Sequence, residues 1–227
     1  MDFTKKNILL YGALIPLVIL ALATPWSESL DLAISRFFFH QTHFISSGHL
    51  DRIFFYGLFP AWTLCILALI GWSCSYFFQS WRFLKAPCAV LILTLAIGSG
   101  LLIHVVFKEH WGRPRPKQIQ EFGGEQVFLP YYQPNFSPIQ PSKSFPSGHT
   151  SMGFYFFSLI WIGICYGSRR LIWSGLFLSV LCGGILSYGR LAQGGHFFTD
   201  ILVSALLMWW TALGCSVCLI LKRGIKT

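Results

Sequence analysis

Three short polar stretches interrupt an apolar chain, and each holds side chains suited to gripping or attacking a phosphate. The first is KEHWGRPRP, Lys108 to Pro116. Pro114 and Pro116 bar a helix and keep the backbone extended, which fixes where Arg113 and Arg115 point. Arginine offers a planar fork that matches phosphate oxygens, and Lys108 adds a compact positive charge. The second is PSGHT, Pro146 to Thr150. Pro and Gly favour a tight turn, Gly148 lets backbone N–H groups come close to a ligand, and Thr150 or Ser151 can cap the helix that follows. N–H groups at a helix start attract anions, so Ser147 and Gly148 form a second half of a phosphate cradle, with His149 at its rim as a proton donor. The third is GRLAQGGHFFTD, Gly189 to Asp200. His196 and Asp200 stand four residues apart, one helical turn if a helix begins near Phe197. A carboxylate so placed accepts the Nδ1 proton and leaves the Nε2 lone pair free, which makes His196 a candidate nucleophile. Arg190 adds a cation, and Gly194 and Gly195 let the loop pack closely under a ligand.

Taken singly, each stretch has a plainer reading: RPRP as a stiff linker, His-x3-Asp as a structural pair at a helix end. What separates the readings is whether the surrounding chain brings the stretches together. The 227 residues are 54% hydrophobic and only 11% charged, and the mean hydropathy is +0.60, outside the balance of a soluble domain. About 20 apolar residues span a bilayer, so this length holds roughly six spanning helices and no separate soluble domain. Six apolar segments are present, near Ile8–Ala23, Ile53–Phe77, Ala86–Phe107, Thr150–Tyr166, Leu171–Tyr188 and Asp200–Leu221. The expected fold is therefore an all-α, integral membrane bundle of six transmembrane helices forming one domain over residues 1–227. Between the first two spans, LDLAISRFFFHQTHF has apolar residues at roughly helical spacing and reads as an amphipathic helix lying in the interface. His40 and His43 there read as interfacial packing.

Charge gives the orientation. Lys5, Lys6, Arg82, Lys85, Arg169, Arg170, Lys222, Arg223 and Lys226 lie in short stretches at helix ends on one side, which the positive-inside rule makes cytoplasmic, with both termini. The opposite side should be poor in cations, yet it holds Arg36, Arg52, Lys108, Arg113, Arg115, Lys117, Lys143 and Arg190, and six of these eight lie in two loops, 108–149 and 189–199. A breach of the rule confined to two loops on one face points to cations kept for an anionic ligand. The first segment, with Ala21-Leu22-Ala23 behind Lys5 and Lys6, also fits a cleaved signal peptide; retention keeps the bundle whole. The formal charge of +9 sorts by membrane side, so it argues for lipid rather than nucleic acid. No GxGxxG or P-loop lysine is present. Seven cysteines lie in apolar segments, and the CxxC of Cys215 and Cys218 has no second ligand pair, so neither a metal nor a cofactor is expected.

Lys108 with six residues before Arg115-Pro116, then Pro146-Ser147-Gly148-His149, then Arg190 with five residues before His196 and three more before Asp200, resemble the three signature stretches of the type 2 phosphatidic acid phosphatase (PAP2) superfamily. The resemblance implies a metal-independent lipid phosphatase in which His196 is the nucleophile, Asp200 orients it and His149 protonates the leaving oxygen. It implies too that Lys108, Arg115, Ser147, Gly148 and Arg190 hold the phosphoryl oxygens. Arg113 lies outside the signature and is expected as an auxiliary phosphate contact. The superfamily usually has Ser before the Arg of the third stretch, where this chain has Gly189. The insert FGGEQVFLPYYQPNFSP is similar to that of lipid A phosphatases in the superfamily. The implied substrates are lipid A first, then undecaprenyl diphosphate or phosphatidylglycerol phosphate, on the periplasmic face of a bacterial inner membrane. A lipid phosphotransferase using the same phosphohistidine and a non-enzymatic lipid or anion carrier are the competing classes. Vanadate-dependent haloperoxidases share the pattern, but they are soluble, and six apolar segments argue against that activity.

Overall fold

A computed structural model describes residues 3–137 and 142–221, with side chains from residue 7 onward. Lys222, Arg223 and Lys226, the side chains of Lys5 and Lys6, and Pro138 of the insert lie outside the described residues. The chain is mostly helical. Helix α1 (Phe3–Ala23) runs through a short turn into α2 (Ser27–Phe38). A hairpin of two short strands, β1 (Phe39–His40) and β2 (His43–Phe44), leads to α3 (Gly48–Tyr56) and α4 (Phe59–Phe77). The strands pair antiparallel, Phe39 opposite Phe44 and His40 opposite His43, and are a small departure from the all-α expectation. Then α5 (Lys85–Leu93) continues through π-type turns to Lys108, and after the loop come α6 (Gly148–Phe154), α7 (Phe157–Tyr166), α8 (Arg169–Ala192) and α9 (Phe198–Ser216), which extends to Leu221.

Among the described residues five helices are long and apolar enough to cross a membrane: Asn7–Phe38, Gly48–Phe77, Gln79–Lys108, Arg169–Ala192 and Phe198–Leu221. The fourth expected span, Thr150–Tyr166, is divided. Tyr155 and Phe156 interrupt it, leaving α6 and α7 in tandem, each too short to qualify alone. Both pack along α8 and α9.

Helix α9 is the axis of the molecule. It touches α1, α2, α5 with its extension, α6 and α7, and half of its most apolar window is buried. Three apolar clusters pack the described residues; the third, around Trp161, Ala212 and Leu213, holds α1 against α7 and α9. One, with Val90, Ile103, Tyr155 and Met208 at its centre, joins α4, α5, α6, α7 and α9. The second, Phe38, Phe44, Leu50, Ile119, Phe122, Ala192 and Phe197, fastens the α2–hairpin–α3 segment to the polar end of α8 and α9. In the spanning helices, where lipid is as apolar as the core, the first cluster is held by close side-chain packing rather than by transfer from water. That second cluster fixes the loops that carry the chemistry.

Candidate active site

The three polar stretches are stitched to one another by backbone hydrogen bonds. Ser144 N–H donates to Arg113 C=O at 3.0 Å, Ser147 N–H to Asp200 C=O at 3.2 Å, and Lys117 N–H to Gly194 C=O at 3.2 Å. Ser144 and Lys117 lie just outside the second and first stretches, so the three bonds tie the stretches together partly through their flanking residues. Between them opens a cleft of about 700 Å³ whose wall includes Lys108, Arg115, His149, Arg190 and His196.

His196 lies in the turn just before α9 and is 1% exposed. Its Nδ1 sits 3.6 Å from Asp200 Oδ2, longer than a hydrogen bond but within a small side-chain adjustment of one. Asp200 is held elsewhere: Oδ2 accepts from Ser144 Oγ at 2.5 Å and from Phe197 N–H at 2.9 Å, and Oδ1 accepts from Arg113 Nη1 at 2.5 Å. The expected start of the last helix near Phe197 is met at Phe198, with Phe197 as N-cap. For α6 the cap differs from expectation. Ser147 is the N-cap residue, while Thr150 and Ser151 sit inside the helix and return their hydroxyls to Ser147 C=O and Gly148 C=O.

Gly148 is required for a reason the sequence did not announce: a Cβ there would come within 2.5 Å of His104 Nε2. Gly195 has a matching role, because a Cβ would stand 2.1 Å from Arg190 Nη2. The guanidinium of Arg190 therefore folds directly over the third stretch. It is steadied by Gln193 Oε1 at 3.0 Å, and Gln193 in turn donates to Asp51 of α3 at 3.1 Å. Arg190 also lies 5.0 Å above the Phe54 ring. Gly189, where the superfamily usually has Ser, faces Ile53 of α3 at 3.2 Å from a built Cβ, so α3 occupies the space a side chain would take.

Arg113 is corrected by the structure. It does not reach the cleft. Fully buried, its guanidinium donates to Leu129 C=O, Thr199 Oγ1, Asp200 Oδ1 and Asp31 Oδ2 at 2.5–2.8 Å, and its plane lies 4.4 Å from the Phe197 ring. The physical reason is charge: two buried carboxylates stand behind His196, and an arginine between them compensates both. Sequence reasoning missed Asp31, Ser144, Gln193, Phe54 and Asp51. Asp31 left a signal, as one of only eight acidic residues and the sole acid on an apolar helical stripe. The segment around it, read from the sequence as an interfacial amphipathic helix, reaches Arg113 and the first turn of α9 through this side chain.

The electrostatics follow from cations gathered around two imidazoles that the fold withdraws from the surface. Burial first, then Arg190, His196 and Lys108, push His149 down to about 3. Burial also pulls His196 down to about 4, against the opposing pull of Asp200. Both imidazoles are therefore neutral at neutral pH before a ligand arrives. Arg115 and Lys117 are lowered as well, by desolvation before anything else. Ser147 Oγ, Arg190 Nε and His196 Nδ1 are buried polar atoms without a hydrogen bond within the described protein, as are several hydroxyls and an indole N–H elsewhere in the bundle. Outside the cleft, Lys143 pairs with Glu109. Among the described residues no group of three or more His, Cys, Asp and Glu side chains converges as a metal site. The arrangement offers a neutral imidazole backed by a carboxylate, a second imidazole opposite, and three cations around the space between.

Residues 89–223 match the PAP2 superfamily. Over 190 residues the chain is 30% identical to a lipid A 4'-phosphatase of Francisella tularensis subsp. novicida, covering 80% of this chain and 82% of the relative. A lipid A 4'-phosphatase of Rhizobium leguminosarum is 33% identical over 50% of this chain and 47% of its own. One from Rhizobium etli is 32% identical over 47% and 40%. No solved structure matches. The lipid phosphatase expected from the motifs agrees with these similarities, and by the extent of the match the chain belongs to the PAP2 superfamily.

Proposed function

We propose that this protein hydrolyses a phosphate ester on a membrane lipid of the lipid A type, without a metal, through a phosphohistidine. What supports the reading is the meeting of His196, backed by Asp200, with His149 and the cations Lys108, Arg115 and Arg190 around one cleft. The relatives named as lipid A 4'-phosphatases favour that lipid over undecaprenyl diphosphate and phosphatidylglycerol phosphate.

In the first step the His196 Nε2 lone pair attacks phosphorus and the bond from phosphorus to the lipid oxygen breaks. Asp200 takes the growing positive charge on the ring through Nδ1–H. The equatorial oxygens lie against Lys108, Arg115 and Arg190, which line the cleft; Ser147 and Gly148 are buried behind His149 and would reach the phosphoryl group only through the N-terminal turn of α6. Such donors, preorganised where charge develops, are worth about 2.7–4 kcal/mol each in comparable sites. His149 gives its proton to the departing lipid oxygen. It is neutral in the empty cleft, so the proton arrives with the substrate: a phosphate monoester still titrates near pH 6, and its negative charge offsets Arg190 and Lys108. Water, deprotonated by His149, then attacks phosphorus, the phosphorus–nitrogen bond breaks, and inorganic phosphate leaves.

We further propose six spans, with α6 and α7 together forming the fourth, and α2 with α3 packed at the interface. The cleft faces the periplasm of a bacterial inner membrane, with both termini cytoplasmic; the basic residues at Arg82, Lys85, Arg169 and Arg170 support this orientation. The test is phosphate release by purified protein from lipid A beside other lipid phosphates and diphosphates, in EDTA, with His196→Ala as control. Release that resists EDTA and vanishes in the variant supports the reading. Strict dependence on added magnesium, or full activity in the variant, overturns it. Labelled phosphate recovered on a second lipid identifies a phosphotransferase instead.

A further inference from the structure

We propose that Asp31 and Arg113 are positioning residues for the His196–Asp200 pair, which makes helix α2 a working part of the catalytic machinery. The inference rests on the phosphatase reading above. Helix α2 lies outside the matched residues 89–223, so nothing in the superfamily match assigns it a role.

The geometry is a closed ring around the first turn of α9. Asp31 Oδ1 accepts from Thr199 N–H at 2.8 Å, capping α9 from another helix. Asp31 Oδ2 accepts from Thr199 Oγ1 at 2.6 Å and from Arg113 Nη2 at 2.7 Å. Arg113 Nη1 then bridges Thr199 Oγ1 at 2.8 Å and Asp200 Oδ1. Asp31, Arg113, Thr199 and Asp200 are each at most 1% exposed. The N-terminus of α9 thus carries two carboxylates, one local and one from 168 residues away, with a guanidinium locked between them.

Simple packing does not need this expense of buried charge. What the ring does is aim Asp200. With Oδ1 tied to Arg113 and Oδ2 held by Ser144 Oγ and Phe197 N–H, the carboxylate is fixed from both ends with Oδ2 3.6 Å from His196 Nδ1, and the Arg113 end is the one that depends on Asp31. The charges are graded as well: Asp31 offsets Arg113, and so leaves Asp200 its strength as an acceptor. The other groups that face His196 are Arg190 from α8, Lys108 from the end of the α5 extension and His149 from α6. None of these makes a hydrogen bond to Asp31 or Arg113.

The experiment uses the full chain in detergent micelles. Asp31→Asn and Arg113→Lys are compared with wild type for kcat, KM and thermal midpoint, and the His196 ring is titrated by ¹⁵N-histidine NMR. Asp31→Asn should lower kcat by about 10- to 100-fold, the range expected for a misaimed catalytic group, with KM nearly unchanged. Its His196 midpoint should move to lower pH, because an unopposed Arg113 draws charge from Asp200. Arg113→Lys keeps the charge and loses the fork, so kcat should fall with the midpoint held. The double variant should lose less than the product of the single losses, as members of one network do. Thr199→Val, which removes one hydroxyl of the ring, is the milder variant should either change prevent folding, and a smaller loss of kcat in the same pattern is expected. Unchanged kcat in the folded variants, or a loss that only tracks the folded fraction while the His196 midpoint stays fixed in Asp31→Asn, overturns the proposal. If the wild type releases no phosphate, the enzyme reading fails, and the His196 midpoint alone decides whether the ring acts on that histidine.

Discussion

Phe54 of α3 lies stacked on His149, ring centroids 4.0 Å apart and planes 26° from parallel. The same ring carries Arg190 over it at 5.0 Å. One aromatic side chain therefore braces both His149, the proposed acid, and Arg190, a proposed phosphate contact. Phe54→Leu keeps the bulk and loses the stack. Aromatic pairs of this kind are worth about 0.5–1.5 kcal/mol, so kcat/KM should fall about two- to tenfold. Steady-state kinetics on the preferred lipid phosphate will check it, and activity equal to wild type would mean the stack is incidental.

Gly195→Ala separates binding from folding. The new methyl would meet Arg190 Nη2 at 2.1 Å, the movable tip of a side chain rather than backbone. The guanidinium should swing away at little cost to stability. Activity should drop about as far as on loss of an oxyanion donor, on the order of 10²–10³-fold. The thermal midpoint should stay near wild type, and a variant that is active but unstable contradicts this assignment.

Arg190→Ala and Arg115→Ala should each reduce kcat/KM by about 10²-fold or more, since each cation opposes charge that grows on the phosphoryl oxygens. Both should also weaken inhibition by vanadate, a phosphate mimic. If either variant retains wild-type vanadate inhibition, that residue does not hold the phosphoryl group.

Stability should depend on pH with a definite sign. His149 and His196 titrate at about 3 and about 4 in the folded cleft, against about 6.5 when exposed. The unfolded chain therefore binds more protons as pH falls below 6.5, and stability drops from there until the folded values are passed. The thermal midpoint should decline between about pH 6.5 and about pH 4, and it should decline less in His149→Ala. Bound phosphate should flatten the slope by raising His149. An equal decline in wild type and variant would remove His149 from the account.

The local stretches were legible in the chain because their chemistry is local. Proline after arginine, a Pro-Ser-Gly-His turn and an imidazole one turn from a carboxylate keep their meaning wherever they fold, and apolar runs of membrane length announce their helices. The cation excess on one side needed only a count along the chain. Arg113 shows where such reading ends. Its type and neighbourhood matched a phosphate contact, yet its direction depended on Asp31, which the sequence places 82 residues away. The break between α6 and α7, the Phe54 stack on His149 and the Asp51–Gln193–Arg190 chain were likewise undetermined until α2, α3, α8 and α9 packed. The sequence by itself determined which side chains could do the chemistry and that a membrane bundle carries them. Only the tertiary structure decided which cations face the cleft and which are consumed behind it, because a buried carboxylate takes whatever cation the packing brings within reach.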